Sequence, residues 1–213
     1  MINVIIVDDH PIVRRGLKST LDETPDIRVI DEATDGADFL EKAKKGTHDV
    51  VLLDLSMPGM SGFDALKQHM LDFPKSKVLV LSTYPEKQYA VRCLRAGALG
   101  FLTKDSATTE LLSAIRKVYQ GRKYVSAELV EQIIDEVDVH ADRPLHEFLS
   151  DREFQVICYF GQGKNVKEIA EILHLSIPTV STYRARILDK LKLETTAQLI
   201  VYVMEHKLID ISR

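Results

Sequence analysis

The sequence predicts an α/β domain built on a doubly wound, five-stranded parallel sheet, followed by a small all-α domain of four helices. Three observations lead there. Over residues 1–121, five short apolar runs alternate with five amphipathic segments of helical length, the pattern of right-handed strand-helix-strand crossovers that cover both faces of a sheet. The run Val50-Val51-Leu52-Leu53 is apolar without alternation, as a strand buried on both faces must be, and it meets Asp54 just before the turn residues Pro58-Gly59. Beyond residue 148 the strand pattern stops and short segments with helix-capping signals replace it.

The elements can be justified in order. Residues 1–7 end in Ile5-Ile6-Val7, a first strand running into Asp8-Asp9-His10. Pro11 suits a first helical turn, and Ile12, Val13, Gly16, Leu17 and Leu21 follow at helical spacing. Residues 28–33 read as a second strand and 36–45 as a second helix closed by Gly46. After the Val50 strand comes a helix over about 62–71, with Pro74 beyond it as a stop. Residues 78–81 form the fourth strand, ending at Ser82-Thr83, and 89–96 a helix closed by Gly97. Gly100-Phe101-Leu102 is the fifth strand, running into Thr103-Lys104-Asp105, and a last helix over about 108–119 is closed by Gly121. Residues 122–148 break the alternation. Leu129, Ile133, Ile134 and Val137 give 126–137 an amphipathic helical pattern, whereas 138–147 are polar with Pro144, so a helical linker passing into a flexible one is expected.

Length and composition fit this division. A chain of 213 residues exceeds one typical domain, so a first domain over 1–121, a linker over 122–148 and a second domain over 149–213 are expected. No apolar run approaches the roughly 20 residues of a membrane span, and no export signal is visible, so a cytoplasmic protein without membrane partners is expected. Cys93 and Cys158 stand alone, without metal-ligand spacing, and read as reduced core thiols. The net charge of −4 argues weakly against a nucleic-acid binder, but its distribution argues the other way: within 176–192, Arg184, Arg186, Lys190 and Lys192 face Asp189 alone.

The predicted strands end in residues of a telling kind: Asp8-Asp9, Asp54, Ser82 and Lys104. In a flavodoxin-like strand order these ends converge at the topological switch point. Three crowded carboxylates repel one another, and a hard dication such as Mg2+ resolves the repulsion. A carboxylate beside that metal can accept a phosphoryl group, with Lys104 balancing its oxygens and the Ser82 hydroxyl bonding one of them. Phe101 suits either plain core packing or a ring that moves when Ser82 is drawn to the phosphoryl group.

Through Asp8-Asp9, Asp54, Met57-Pro58-Gly59, Ser82 and Lys104, the first 121 residues resemble the receiver domain of two-component response regulators. The resemblance implies Asp54 as phosphoacceptor, Asp9 and Asp54 as direct Mg2+ ligands, Asp8 acting through water, and the Ser56 main-chain carbonyl completing the protein ligands. It places Ser82 and Phe101 at the two switch positions, with Ser56 and Tyr84 flanking the phosphoryl group.

In the second domain, Ser150 and Glu153 form a capping box for a first helix that runs to Gly161 or Gly163. A second helix covers 166–173, His174-Leu175 make a tight turn, and Ser176 caps a third helix with Pro178 in its first turn; a fourth follows over about 196–205. Two short helices about a tight turn describe a helix-turn-helix. Ser181, Thr182, Ala185 and Arg186 lie away from the apolar stripe, where they can reach base edges, while Lys164, Lys167, Thr179, Tyr183, Arg184 and Lys190 are placed for phosphates. The runs Leu149-Ser150-Asp151-Arg152-Glu153, Gly163 to Ala170 and Thr179 to Tyr183 resemble the LuxR-type DNA-binding domain of NarL/FixJ regulators. Arg184 stands where many such domains have an apolar residue, which leaves it inward or outward. The family's habit of pairing through the fourth helix makes Ala197, Ile200, Val201 and Met204 a dimer surface, or else they close the four-helix core.

Together these features are expected to make a phosphorylation-dependent transcription regulator rather than a turnover enzyme. Its partners would be a sensor histidine kinase or small phosphodonor, double-stranded DNA, a second copy of the chain, and RNA polymerase. The alternative from another class is a protein-interaction relay whose helix-turn-helix does not bind DNA.

Overall fold

The computed structural model describes residues 1–84, 86–126, 129–130 and 144–209. The chain divides into two compact units, Met1–Asp138 and Val139–Arg213, so the first unit extends past the expected boundary at residue 121.

In the first unit, β1 (Ile2–Val7), β2 (Ile27–Ala33), β3 (Val50–Leu53), β4 (Val78–Ser82) and β5 (Gly100–Thr103) alternate with α1 (Pro11–Asp22), α2 (Gly36–Ala43), α3 (Gly62–Asp72), α4 (Glu86–Arg95) and α5 (Ala107–Tyr119). All neighbouring strands are parallel, in the order β2-β1-β3-β4-β5, the flavodoxin-like order expected. β3 and β4 are buried at every residue, which is why their sequences show no polar alternation. One core joins Ile2, Val4 and Ile6 of β1, Leu52, Leu79 and Leu81 to Leu111, Ile115 and Val118 of α5.

Register decides what meets at the carboxyl edge. Val7 pairs with Leu53, so Asp8 and Asp54 leave adjacent strands side by side. Ser82 pairs with Thr103, and the Lys104 N–H donates to the Ser82 carbonyl (2.8 Å), which sets Lys104 beside the same edge. The loop after β3 is pressed against α3: a Cβ on Gly62 would lie 1.8 Å from the Asp54 carbonyl oxygen and 2.7 Å from Leu55 Cα. Ser61 caps that helix, accepting from the Asp64 N–H at 3.1 Å. The backbone after Asp54 is therefore fixed from behind by a residue that has to be glycine.

Three expectations need correction. The α4 helix begins at Glu86, one turn before the expected Tyr89, because its first turn is polar and hides the apolar periodicity. Residues just after α5 are not yet linker. The Tyr124 N–H donates to the Leu99 carbonyl (2.8 Å), the Phe101 N–H donates to the Tyr124 carbonyl (3.1 Å), and Gly100 and Tyr124 form a parallel bridge on the outer edge of β5. A side chain on Gly100 would come within 2.8 Å of the Tyr124 carbonyl. The Ser126 N–H then donates to Glu86 Oε1 (3.1 Å), and Ser126 Oγ accepts from the Leu129 N–H (3.1 Å), with Leu129 fully buried. The rest of the helix expected over 126–137 lies outside the described residues. Finally, Leu145–Phe148, expected within flexible or linker sequence, form a 3-10 helix.

The second unit holds α6 (Asp151–Gly161), α7 (Val166–Ile172), α8 (Ile177–Leu191) and α9 (Thr196–Glu205). Capping boxes at Ser150/Glu153, Asn165/Glu168 and Thr195/Gln198 open α6, α7 and α9, and Ser176 caps α8. α6 packs against α8 and α9, and α7 against α8. His174, at φ 52°, makes the tight turn between α7 and α8. No helix among the described residues is long and apolar enough to cross a membrane.

Gly62→Ala is expected to destabilise the first unit by more than about 3 kcal/mol, since the clash is with backbone that cannot rotate away. Urea unfolding of the full chain would show it as an earlier first transition; an unmoved midpoint would contradict the packing account.

Candidate functional site

Asp8 and Asp54 are almost completely buried at the strand ends, and Lys104 holds both. Its ammonium donates to Asp8 Oδ2 and to Asp54 Oδ2, each at 2.7 Å. The other oxygen of each acid is held by backbone: Asp8 Oδ1 accepts from the His10 N–H (2.8 Å) and Asp54 Oδ1 from the Ser56 N–H (3.1 Å). Arg14 fastens the loop by donating to the Asp8 carbonyl at 2.7 Å. Burial pushes the Asp54 carboxyl above its ordinary value, and the charge and hydrogen bond of Lys104 only partly oppose this. For Lys104, burial pulls downward, but Asp54 and Asp8 outweigh it and the ammonium is held above its usual range. The outcome is a desolvated carboxylate more basic than usual, held at 2.7 Å by a fixed cation.

The residues predicted from sequence do come together here, with one addition. Ligand atoms of Asp8, Asp9, His10 and Asp54 all lie within 4.8 Å of one another. Asp9 Oδ1 is buried yet has no hydrogen-bond partner; His10 Nδ1 lies 2.8 Å away, at ion-pair distance but without hydrogen-bond alignment. An unsatisfied anionic oxygen among further carboxylates fits a hard dication. His10 was not singled out beforehand, although its position directly after Asp8-Asp9 was the available signal. Nor was Arg14 or Gly62.

Ser82 is fully buried, and its Oγ accepts from the Tyr84 N–H at 3.1 Å. Tyr84 is buried and stacks on Tyr89, ring centroids 4.5 Å apart. Phe101 is buried too, opposite Val80 in register. Ser82 and Phe101 are thus on neighbouring strands, one at the site and one behind it.

In the second unit, α8 buries Val180, Ile187 and Leu191 and leaves Ser181, Thr182, Ala185 and Arg186 exposed, as the apolar spacing predicted. Thr182 Oγ1 donates back to the Pro178 carbonyl at 3.0 Å. Lys167 is exposed on α7, while Lys164, Thr179 and Tyr183 are half-buried. Two residues expected at phosphates also make bonds within the protein. Lys190 Nζ donates to Glu153 Oε2 at 2.6 Å, because that buried capping carboxylate needs a counter-charge. Arg184 Nε donates to Thr196 Oγ1 at 2.7 Å, tying α8 to α9. On α9, Leu199 and Val203 close the core, while Ala197, Val201 and Met204 are exposed and Ile200 is half-buried.

Buried strand-end carboxylates held by one lysine and a helix-turn-helix with an exposed polar face, carried on one chain, define the class of a receiver coupled to a DNA-binding domain. The model of the response regulator receiver domain matches residues 4–116, and that of the luxR family of bacterial regulatory proteins matches 147–203. The response regulator UvrY of Escherichia coli (strain K12) is 34% identical over 211 residues, covering 99% of this chain and 97% of the relative. The oxygen regulatory protein NreC of Staphylococcus carnosus (strain TM300) is 34% identical over 214 residues, covering 97% and 99%. Among solved structures, RcsB from Salmonella enterica serovar Typhimurium, bound to promoter rprA in the presence of the phosphomimetic BeF3−, is 28% identical at a TM-score of 0.61, covering 96% and 99%. The chain belongs to the NarL/FixJ-type response regulators, a receiver domain joined to a LuxR-type DNA-binding domain. It is a transcription regulator, not a turnover enzyme.

The Lys190–Glu153 pair yields a prediction separable from DNA binding. Burial pushes the Glu153 carboxyl up, but hydrogen bonds from Lys190 and Ser150 outweigh it and hold it below its ordinary value. A depressed carboxyl stabilises the fold above its unfolded pKa, and this contribution is lost as pH falls through the folded one. Lys190→Met is expected to cost the second unit about 2 kcal/mol near neutral pH, between the worth of an exposed and a buried pair. It should also flatten the acid limb of stability against pH below about 4.5. Thermal melts at several pH values check both, and a variant as stable as wild type would show the pair to be ornamental.

Proposed function

We propose that Asp54 is the phosphoacceptor and that its phosphorylation controls binding of the second unit to DNA. The observation that carries this reading is Lys104 held at 2.7 Å from both Asp8 and Asp54. One ionised Asp54 oxygen attacks the donor phosphorus; the bond between phosphorus and the donor's nitrogen or oxygen breaks, and an acyl phosphate results. A dication such as Mg2+, held by Asp9, Asp54 and the Ser56 main-chain carbonyl with Asp8 acting through water, neutralises phosphoryl charge when bound. Lys104 then follows the negative charge onto the new phosphoryl oxygens. The Ser82 hydroxyl, now accepting from the Tyr84 N–H, turns to donate to one of them, and the Phe101 ring moves into the space released. A sensor histidine kinase or a small phosphodonor supplies the phosphoryl group, and the protein works in the cytoplasm.

For DNA, the exposed side chains Ser181, Thr182, Ala185 and Arg186 support base-edge contacts in the major groove. Lys164, Lys167, Thr179 and Tyr183 contribute phosphate contacts, and Arg184 and Lys190 stay with the fold. Ala197, Val201 and Met204 are exposed on α9 while Leu199 and Val203 close the core, which favours the first face as the surface that pairs two copies on adjacent half-sites. RNA polymerase is the further partner that a promoter-bound regulator addresses.

Incubation with acetyl phosphate and Mg2+ should label the wild type, and Asp54→Ala should take up no stable label; equal labelling would remove Asp54 from the role. Thr182→Ala combined with Arg186→Ala should weaken cognate promoter binding by roughly 2 to 4 kcal/mol at fixed salt, as two lost base contacts would. Undiminished affinity, with no salt-dependent retention of DNA by the wild type, would favour the docking relay instead.

A further inference from the structure

We propose that His10 is a metal ligand: its imidazole lets the strand-end site hold a first-row transition dication such as zinc more tightly than the carboxylates alone would, in competition with Mg2+. The inference rests on the reading of Asp8, Asp9 and Asp54 as a dication site and adds to it a donor of a different kind.

His10 occupies the N-cap position of α1, where Ser, Thr, Asp or Asn would ordinarily supply a capping oxygen, and its side chain makes no capping hydrogen bond. Capping therefore does not account for the ring. The backbone at His10 is fixed against the cluster, since its N–H donates to Asp8 Oδ1 at 2.8 Å and Pro11 follows as the first residue of the helix. From that anchor Nδ1 lies 2.8 Å from Asp9 Oδ1 and 3.5 Å from Asp8 Oδ1. The 2.8 Å contact lacks hydrogen-bond alignment, and Asp9 Oδ1 is left buried with no partner. One ligand atom from each of Asp8, Asp9, His10 and Asp54 falls within 4.8 Å of all the others. The ring is 62% exposed at the mouth of the cluster, so taking up a metal requires no rearrangement of the core.

Charge and donor type decide which metals gain. Three carboxylates less the Lys104 ammonium leave two negative charges, which a dication balances. A neutral imidazole adds a fourth donor without adding charge. Mg2+ prefers oxygen ligands and retains its waters, so it gains little from that nitrogen. Zinc, nickel, copper and iron favour imidazole, and affinities along the first row rise to copper and fall again at zinc, which remains far better suited to that nitrogen than magnesium. His10 thus biases the site away from a purely magnesium preference. The consequence is a phosphoacceptor site whose occupancy depends on the transition-metal load around it.

The test uses the untagged, full-length chain stripped of metal by a chelator. Zinc chloride and magnesium chloride are titrated calorimetrically into wild type, His10→Ala and His10→Asn, and the zinc signal assigned to the site is the part displaced by saturating Mg2+. Both variants should bind zinc at least about tenfold more weakly than wild type, with the Mg2+ affinity unchanged. With Mn2+ as probe, pulsed electron paramagnetic resonance should show coupling to an imidazole nitrogen in wild type that both variants lose. Equal zinc affinities in wild type and variants, or no nitrogen coupling in wild type, would overturn the role of His10 while Mg2+ binding left the acidic site intact. A wild type that binds no Mg2+, or binds it as Asp54→Asn does, would overturn the dication reading and this inference together.

Discussion

Two carboxylates buried side by side at the ends of adjacent parallel strands are the constraint from which the rest of the first unit follows. At the separations found in the cluster, within 4.8 Å, two such charges repel by roughly 3 kcal/mol at an effective dielectric of about 20. Lys104 meets both at 2.7 Å and converts mutual repulsion into attraction to a shared cation. The register of β1 on β3 and of β4 on β5 exists to bring these three residues to one point. Because Lys104 arrives from the far side of β4, the charge balance also depends on a strand that contributes no acid. Through that lysine the carboxylates of β1 and β3 are tied to the β4–β5 edge.

The second unit repeats the theme for a different end. Glu153 is as deeply buried as Asp54, and Lys190 serves it as Lys104 serves the strand-end acids. Here the pairing is static: the carboxylate also accepts from the Ser150 N–H at 2.7 Å, locking the start of α6 to the end of α8. The same residue types thus build an acidic cluster at the strand ends in one unit and a rivet at a helix cap in the other. Arg184, bonded to Thr196, is a second rivet, between α8 and α9. Both cations bond within the fold, while Ser181, Thr182, Ala185 and Arg186 stand exposed on α8.

How much of this could be read from sequence depended on what each inference required. Strand ends were legible because a fully buried strand has an unbroken apolar run, so the first polar residue after it is located to within one position; Asp54, Ser82 and Lys104 follow from that alone. Helix-borne side chains were less legible. Whether Lys190 faces solvent or Glu153 depends on a partner 37 residues away, which no local period reveals. The α9 stripe posed the same problem: Ala197, Ile200, Val201 and Met204 are apolar at helical spacing, but it is Leu199 and Val203, on the neighbouring arc, that α6 covers. His10 is less legible because the motif lies in its neighbours Asp8 and Asp9. Tyr124 was passed over because a single bridging residue has no periodicity at all.

That bridge has a mechanical meaning. Just after α5 the chain is held by a backbone hydrogen bond from the N–H of Phe101 to the Tyr124 carbonyl, and then by the carboxylate of Glu86 at the head of α4. The segment is stitched to the strand that carries the aromatic ring, not merely tied near it. Backbone closes the outer edge of β5 at Tyr124, and Glu86 joins Ser126 to α4, so β5, the head of α4 and residues 124–126 make one hydrogen-bonded corner of the first unit. A displacement of β5 is therefore shared with the segment that follows α5.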